Sequence, residues 1–327
     1  MISSMKKYAS LFLFSIILAG PHAAFAQQWP SNQVKIVLPY PPGGASDTTA
    51  RLLAEKLTKE WGQTVVVDNR PGANGIIANE LVASANPDGY TILMANLGPN
   101  AINHAVYSSL RYDSIKDFDP VILTTLVPQV ILVKSDSDLK TLKDLVDLAK
   151  SEPDEVTFGS AGIGASNHLS GEMLNSMAGI KMRHVPYKGD SPSITDTIGG
   201  QIVVVLPTVV AGIPHINGGK LKALAVTSSE RVASLPDVPS VNEALGLDTF
   251  EAVSWGGFLV PAGTPPAVTE KINASINKVL QMPDIQTKLK ALGASTVGGT
   301  PEEMRTFLST ENVKWKKVAD DANIRLQ

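Results

Sequence analysis

Short β-branched runs alternate with amphipathic stretches along most of the chain. Residues 34–38, Val-Lys-Ile-Val-Leu, are mostly β-branched, which predicts a strand. Over residues 47–61, Ala50, Leu53, Leu57 and Trp61 recur every three or four positions, the spacing of one helix face. Residues 64–67 predict a second strand and residues 74–85 a helix, closed by the turn Asn86-Pro87-Asp88-Gly89; residues 91–95 predict a third strand. Residues 121–133 form a long apolar stretch broken by Pro128, the pattern of a strand crossing between two domains. Leu142, Leu145, Val146 and Ala149 place a helix over residues 142–150. Residues 156–158 open a strand–loop–helix unit. Strands at 183–186, 202–206, 222–226 and 254–260 follow, with a helix near 193–198. From Pro265 onward the pattern is helical, with breaks at Pro283 and at Gly298-Gly299-Thr300-Pro301. Such alternation predicts α/β layers with largely parallel sheets. Ligands in such sheets sit beyond the carboxyl ends of the strands, so the strand-to-helix loops are the places to search.

The first residues follow a different pattern. Lys6 and Lys7 precede a short apolar run, residues 11–19, and Ala24-Phe25-Ala26 then supplies small residues. This is the three-part arrangement of a secretory signal, with cleavage expected after Ala26, and the run is too short to span a bilayer. An exported, periplasmic protein is the expectation.

Composition narrows the classes further. The 327 residues carry 28 Lys+Arg against 31 Asp+Glu, a formal net charge of -3, with 43% hydrophobic residues. That balance excludes a disordered chain and gives no basic field for nucleic acid. The length suits two domains. With no Cys, thiolate metal sites and Cys nucleophiles are excluded. His104, His168, His184 and His215 show no metal-binding spacing, and no metal or cofactor is expected.

Two loops carry the candidate chemistry. One is Pro39-Tyr40-Pro41-Pro42-Gly43-Gly44-Ala45-Ser46-Asp47; the other is Gly159-Ser160-Ala161-Gly162-Ile163-Gly164-Ala165-Ser166-Asn167. Both leave a strand and enter a helix, and they end alike, Gly-Ala-Ser-Asp and Gly-Ala-Ser-Asn. Glycines let backbone approach a ligand, Asp47 and Asn167 are expected to cap their helices, and the remaining free N–H groups with the helix dipole favour an anion. Neither loop has Lys or Arg, a P-loop lysine or a dinucleotide fingerprint. Ser166-Asn167-His168 approximates a hydrolase nucleophile elbow with His in place of the last Gly, so an exported Ser/His hydrolase stays open as an alternative.

The ordered motifs Tyr40-Pro41-Pro42-Gly43-Gly44, Asn69-Arg70-Pro71-Gly72-Ala73, Pro87-Asp88-Gly89-Tyr90-Thr91, Gly159-Ser160-Ala161-Gly162, Val185-Pro186-Tyr187-Lys188-Gly189, Leu235-Pro236-Asp237-Val238-Pro239 and Pro261-Ala262-Gly263-Thr264-Pro265 resemble the receptors of tripartite tricarboxylate transporters, the Bug family. The resemblance implies a two-lobed, type II-like periplasmic binding protein, not an enzyme, whose cleft closes on a small carboxylated ligand. It implies lobe one over 27–126 plus 250–327 and lobe two over 127–249. It implies a monomer that serves membrane transporter subunits, or an orphan or sensory receptor for the same ligands. Carried onto this chain, the ligand residues would be Pro42, Gly43, Gly44, Ser46 and Asp47, then Ser160, Ala161, Gly162, Gly164, Ser166 and His168, with Tyr187 as a pocket wall. Trp255 is expected in the core, and Arg51 and Lys188 as surface or bracing charges. The chain departs from the family at Val203, where an Asp is usual, and over residues 72–78 and 96–100; loss of that Asp removes a partner for an amino group and points to a non-amino carboxylate, aromatic ones included.

Overall fold

The computed structural model describes residues 29–326; the expected leader and its cleavage after Ala26 lie outside the described residues. The chain begins with β1 (Val34–Leu38), α1 (Ala45–Trp61), β2 (Val65–Asn69), α2 (Ile76–Ala83) and β3 (Thr91–Asn96). A π-helical turn, Gly98–Ile102, runs into the short α3 (Asn103–Val106). The strands β4 (Phe118–Pro128) and β5 (Val130–Lys134) follow with one residue between them. Next come α4 (Leu142–Ser151), β6 (Thr157–Ser160), α5 (Ser166–Ala178), β7 (Arg183–Pro186), α6 (Asp190–Gly199), β8 (Val204–Val205), α7 (Val209–Asn217), β9 (Leu221–Val226) and α8 (Val241–Leu245). The chain ends with β10 (Val253–Pro261), α9 (Pro266–Leu280), α10 (Pro283–Ala291), β11 (Ser295–Gly298) and α11 (Pro301–Asp321).

The strands form a six-stranded sheet, β11-β4-β10-β3-β1-β2, and a five-stranded sheet, β7-β6-β8-β5-β9. Chain passes from the first to the second at Gln129 and returns after β9. The apolar stretch around Pro128 is therefore two strands in two sheets. The expectation of largely parallel sheets needs correction. β1 pairs parallel with β2 and β3, and β6 with β7 and β8, but β10 runs antiparallel to β3 and β4, and β5 antiparallel to β8 and β9. The antiparallel pairs include the strands that carry chain between the sheets, and so arrive from the opposite direction. A second correction concerns residues 74–85. Ala73, Asn74 and Gly75 all take positive φ, so the helix starts only at Ile76.

Capping explains the starts of other helices. Thr141 and Thr300 each form a reciprocal capping box, with Asp144 and Glu303. The long helix α11 lies along β4 and also meets α5 of the second lobe, where Ser176 donates to Asp321. Within lobe two, α5 is seated by Gly171, whose added Cβ would fall 2.2 Å from the Phe158 ring, itself fully buried. Gly171→Ala would gain about 1 kcal/mol of helix propensity. Overpacking of this kind costs about 1–3 kcal/mol. We expect a net loss of stability in urea unfolding; an equal or higher midpoint would contradict this seating.

Candidate functional site

Two helices aim uncapped first turns at one cavity. α1 starts after Gly44 and α5 after Ala165, and neither helix receives a side-chain cap. The first N–H groups of each carry the positive end of a helix dipole. Both turns are braced from behind by the same device. The Asp47 carboxylate accepts from the Gly43 N–H at 3.0 Å, and His168 Nδ1 accepts from the Gly164 N–H at 3.1 Å. Each brace therefore runs from the third helical residue to the residue before the cap. Asp47 and Asn167 do not cap their own helices, as the sequence had suggested. Asn167 Oδ1 accepts instead from the Ala161 N–H, and its amide donates to Asp190. The reason is reach: a side chain already inside the first turn points back over the loop, leaving the dipole end open.

The braces differ in charge. Arg51 donates to Asp47 at 2.9 Å; this bond, with the Gly43 N–H and the Asn69 amide, holds the Asp47 carboxyl at about 2. Arg51 is thus a bracing charge, and Lys188 is exposed. His168 is buried, and its ring stacks on His184 at 3.7 Å. Burial first, then His184, pushes His168 down to about 3, and burial pushes His184 down to about 4. A neutral His168 that accepts at Nδ1 carries its proton on Nε2, 3.7 Å from Glu172. Ser160 lies under the loop, its hydroxyl 2.5 Å from His184 Nε2 and 3.1 Å from both main-chain groups of Gly162.

The cavity between the helices has a volume of about 450 Å³. Ala161, Gly162, Ile163, Gly164, Ala165 and Ser166 form its lobe-two wall. Tyr40, Ser46 and Asn74 face them, together with residues 96–99 and Asn103; Ser254 and Trp255 of β10 complete the lining. Among the described residues that line it, none is Asp, Glu, Lys, Arg or His. Burial pushes Tyr40 up to about 12, so its hydroxyl remains a neutral donor. A cavity of about 500 Å³ between residues 228–234 and 290–296 has Glu230, Arg231, Glu251 and Lys290 in its walls, and a single uncapped helix start, Val209 of α7, reaches it rather than a facing pair.

Of the residues singled out in the sequence, the cavity gathers Ser46, Ala161, Gly162, Gly164 and Ser166. Pro42, Gly43 and Gly44 are exposed beside it; Asp47, Ser160 and His168 are buried behind the loops. Tyr187 is not among the wall residues: its hydroxyl donates to Asp196 at 2.8 Å and its ring lies near Gly159. Trp255 is a core side chain, 2% exposed, that donates to the buried Glu311 while still touching the cavity. Val203 packs against the core and is not in the wall, so that departure does not bear on this cavity. Ser166 and His168 do not form a nucleophile–base pair. Ser166 Oγ is engaged by Gln129 and Ser254, and His168 Nδ1 by Gly164.

The sequence reading missed Tyr40, Asn74, Asn103 and Ser254 as cavity residues. It marked residues 96–100 only as a departure, although they follow the carboxyl end of β3, where the strand-end rule would have found them. Nothing local marks Ser254, which reaches the cavity through an antiparallel pairing with β4.

Two α/β lobes around a neutral cleft are the architecture of solute-binding proteins. Residues 49–324 match the tripartite tricarboxylate transporter family receptor profile, and the chain belongs to that family. It is 40% identical over 290 residues to the "UPF0065 protein in tcbD-tcbE intergenic region" of Pseudomonas sp. (strain P51), covering 89% of this chain and 86% of that one. An R. palustris protein solved with adipate matches with a TM-score of 0.77 at 35% identity, over 91% of this chain and 99% of that chain. MatC from Rhodopseudomonas palustris, solved with bound malate, matches with a TM-score of 0.73 at 32% identity, over 88% and 99%.

Proposed function

We propose that this chain is a periplasmic receptor, exported and cleaved after Ala26, that closes its two lobes on a small non-amino carboxylate and presents it, as a monomer, to tripartite transporter subunits in the membrane. It binds and releases its ligand unchanged. The observation that carries this reading is the pair of uncapped helix N-termini, α1 and α5, on opposite sides of a cleft lined by neutral groups. Main-chain N–H groups and hydroxyls there favour an anion. The lining offers no carboxylate to an ammonium group. Adipate and malate in the related structures are ligands of that class. The lobes are 27–126 plus 250–327 and 127–249, hinged where chain crosses near Gln129 and again before β10. A ligand touching both lobes shifts the population toward closure.

Thermal unfolding against dicarboxylates, tricarboxylates, aromatic acids, amino acids and neutral amides tests this. An acid at about 100 times its dissociation constant should stabilise by about 2.7 kcal/mol. The acid should be recovered intact. Stabilisation by amino acids or amides but by no acid would overturn the reading.

A further inference from the structure

Behind the cavity, one buried amide touches the hydroxyl at the start of α5. Gln129 is 1% exposed and sits at the passage between the sheets, its main chain bonded to Thr227. Its Nε2 donates to Ser166 Oγ at 3.2 Å, and Ser254 Oγ donates to the same oxygen at 3.2 Å. Gln129 Oε1 is buried with no partner. A hydroxyl has two lone pairs and one hydrogen. Both Ser166 lone pairs are taken, one by the passage between the lobes and one by lobe one. Only the hydrogen is left to face the cavity that Ser166 lines.

We propose that Gln129 is a positioning residue that makes Ser166 an obligatory donor, selecting ligands that bring an acceptor oxygen, such as a carboxylate, over ligands that bring an N–H. This rests on the carboxylate-receptor reading above. Turning the Gln129 amide over would set its oxygen against Ser166, draw the hydrogen inward and show the cavity a lone pair. Either orientation leaves one end of this buried amide unpaired, and in the one found that end is Oε1. A carboxylate bound at Ser166 would favour that orientation.

The test uses adipate, succinate and benzoate, each beside its amide, titrated into wild type and Gln129→Met. Methionine keeps the volume, adds no charge and frees one Ser166 lone pair. The acid-to-amide affinity ratio should fall by about five-fold or more, the scale of one hydrogen bond. Gln129→Glu should lose acid affinity at pH 8 and regain it as the pH is lowered and the buried carboxyl, once protonated, donates as glutamine does. A packing role alone would weaken acid and amide equally, and an unchanged ratio in Gln129→Met overturns the inference while the receptor reading stands. If wild type binds none of the three acids but binds amides, the receptor reading falls and the inference with it.

Discussion

Ser166→Asp is expected to lower carboxylate affinity by roughly 1,000-fold while the protein stays folded. Ser166 opens α5 and lines the cavity, so an aspartate there places a fixed carboxylate close to where a ligand carboxylate would sit. Two unit charges about 4 Å apart repel by about 4 kcal/mol at the effective dielectric of about 20 that suits such sites. The fold has reason to accept the change. Gln129 Nε2 and the Ser254 hydroxyl already donate to the side-chain oxygen at this position, and a carboxylate accepts both. Negative charge in a first helical turn is itself stabilising by about 0.3–1 kcal/mol. Calorimetric titration with the tightest acid of the panel, beside a melting curve, reads both effects. Affinity within ten-fold of wild type would remove α5 from the binding site.

The parts of this arrangement differ in how far the sequence discloses them. α1 follows from periodicity because its burial repeats on the helical period, as Ala50, Leu53 and Leu57 do, whereas β1 and β3 are legible as short, mostly apolar runs buried almost throughout. The two loops are legible because their glycines and small polar residues stand between a strand and a helix. Two glycines of the second loop, Gly162 and Gly164, do take positive φ. The π-helical turn is not legible. Gly98-Pro99 reads as a breaker, yet proline is tolerated in a first turn, where its missing N–H costs no bond. β11 is also hidden, because its four residues are exposed or half-buried and show no apolar run. Asn96, Gln129 and Ser254 become neighbours of the cavity through strand pairings and contacts that join residues far apart in the chain, and no local pattern encodes those. The direction of a side chain is equally nonlocal. Asp47 and His168 were legible as first-turn residues, but that they face the loop rather than the cavity depends on Arg51, Asn69 and His184.

Acidification should weaken this fold from about pH 6.5 downward, and His168→Asn should remove much of the effect. In the unfolded chain both rings titrate near the ordinary value of about 6.5. In the folded protein His168 is held at about 3 and His184 at about 4. Between those limits the folded state binds fewer protons, so stability present above about pH 6.5 is lost as the pH falls toward the folded values. At about 1.4 kcal/mol per pH unit, His168 alone accounts for about 3 kcal/mol between pH 6.5 and 4. Glu172 and Asp190 act in the opposite sense. Burial raises both carboxyls, so the folded state takes up their protons more readily and gains from acid. The wild-type curve is therefore a sum, and the variant isolates the histidine. Asparagine sets an amide oxygen near the place of Nδ1, where it can still accept from the Gly164 N–H, and it does not titrate. Urea unfolding across this range should give His168→Asn a shallower slope by about 1.4 kcal/mol per pH unit. Ligand affinity should follow the same sense, because a protonated Nδ1 turns a donor toward the Gly164 N–H and releases the loop that forms one cavity wall. Parallel slopes for wild type and variant would mean that His168 does not hold that loop as a neutral acceptor.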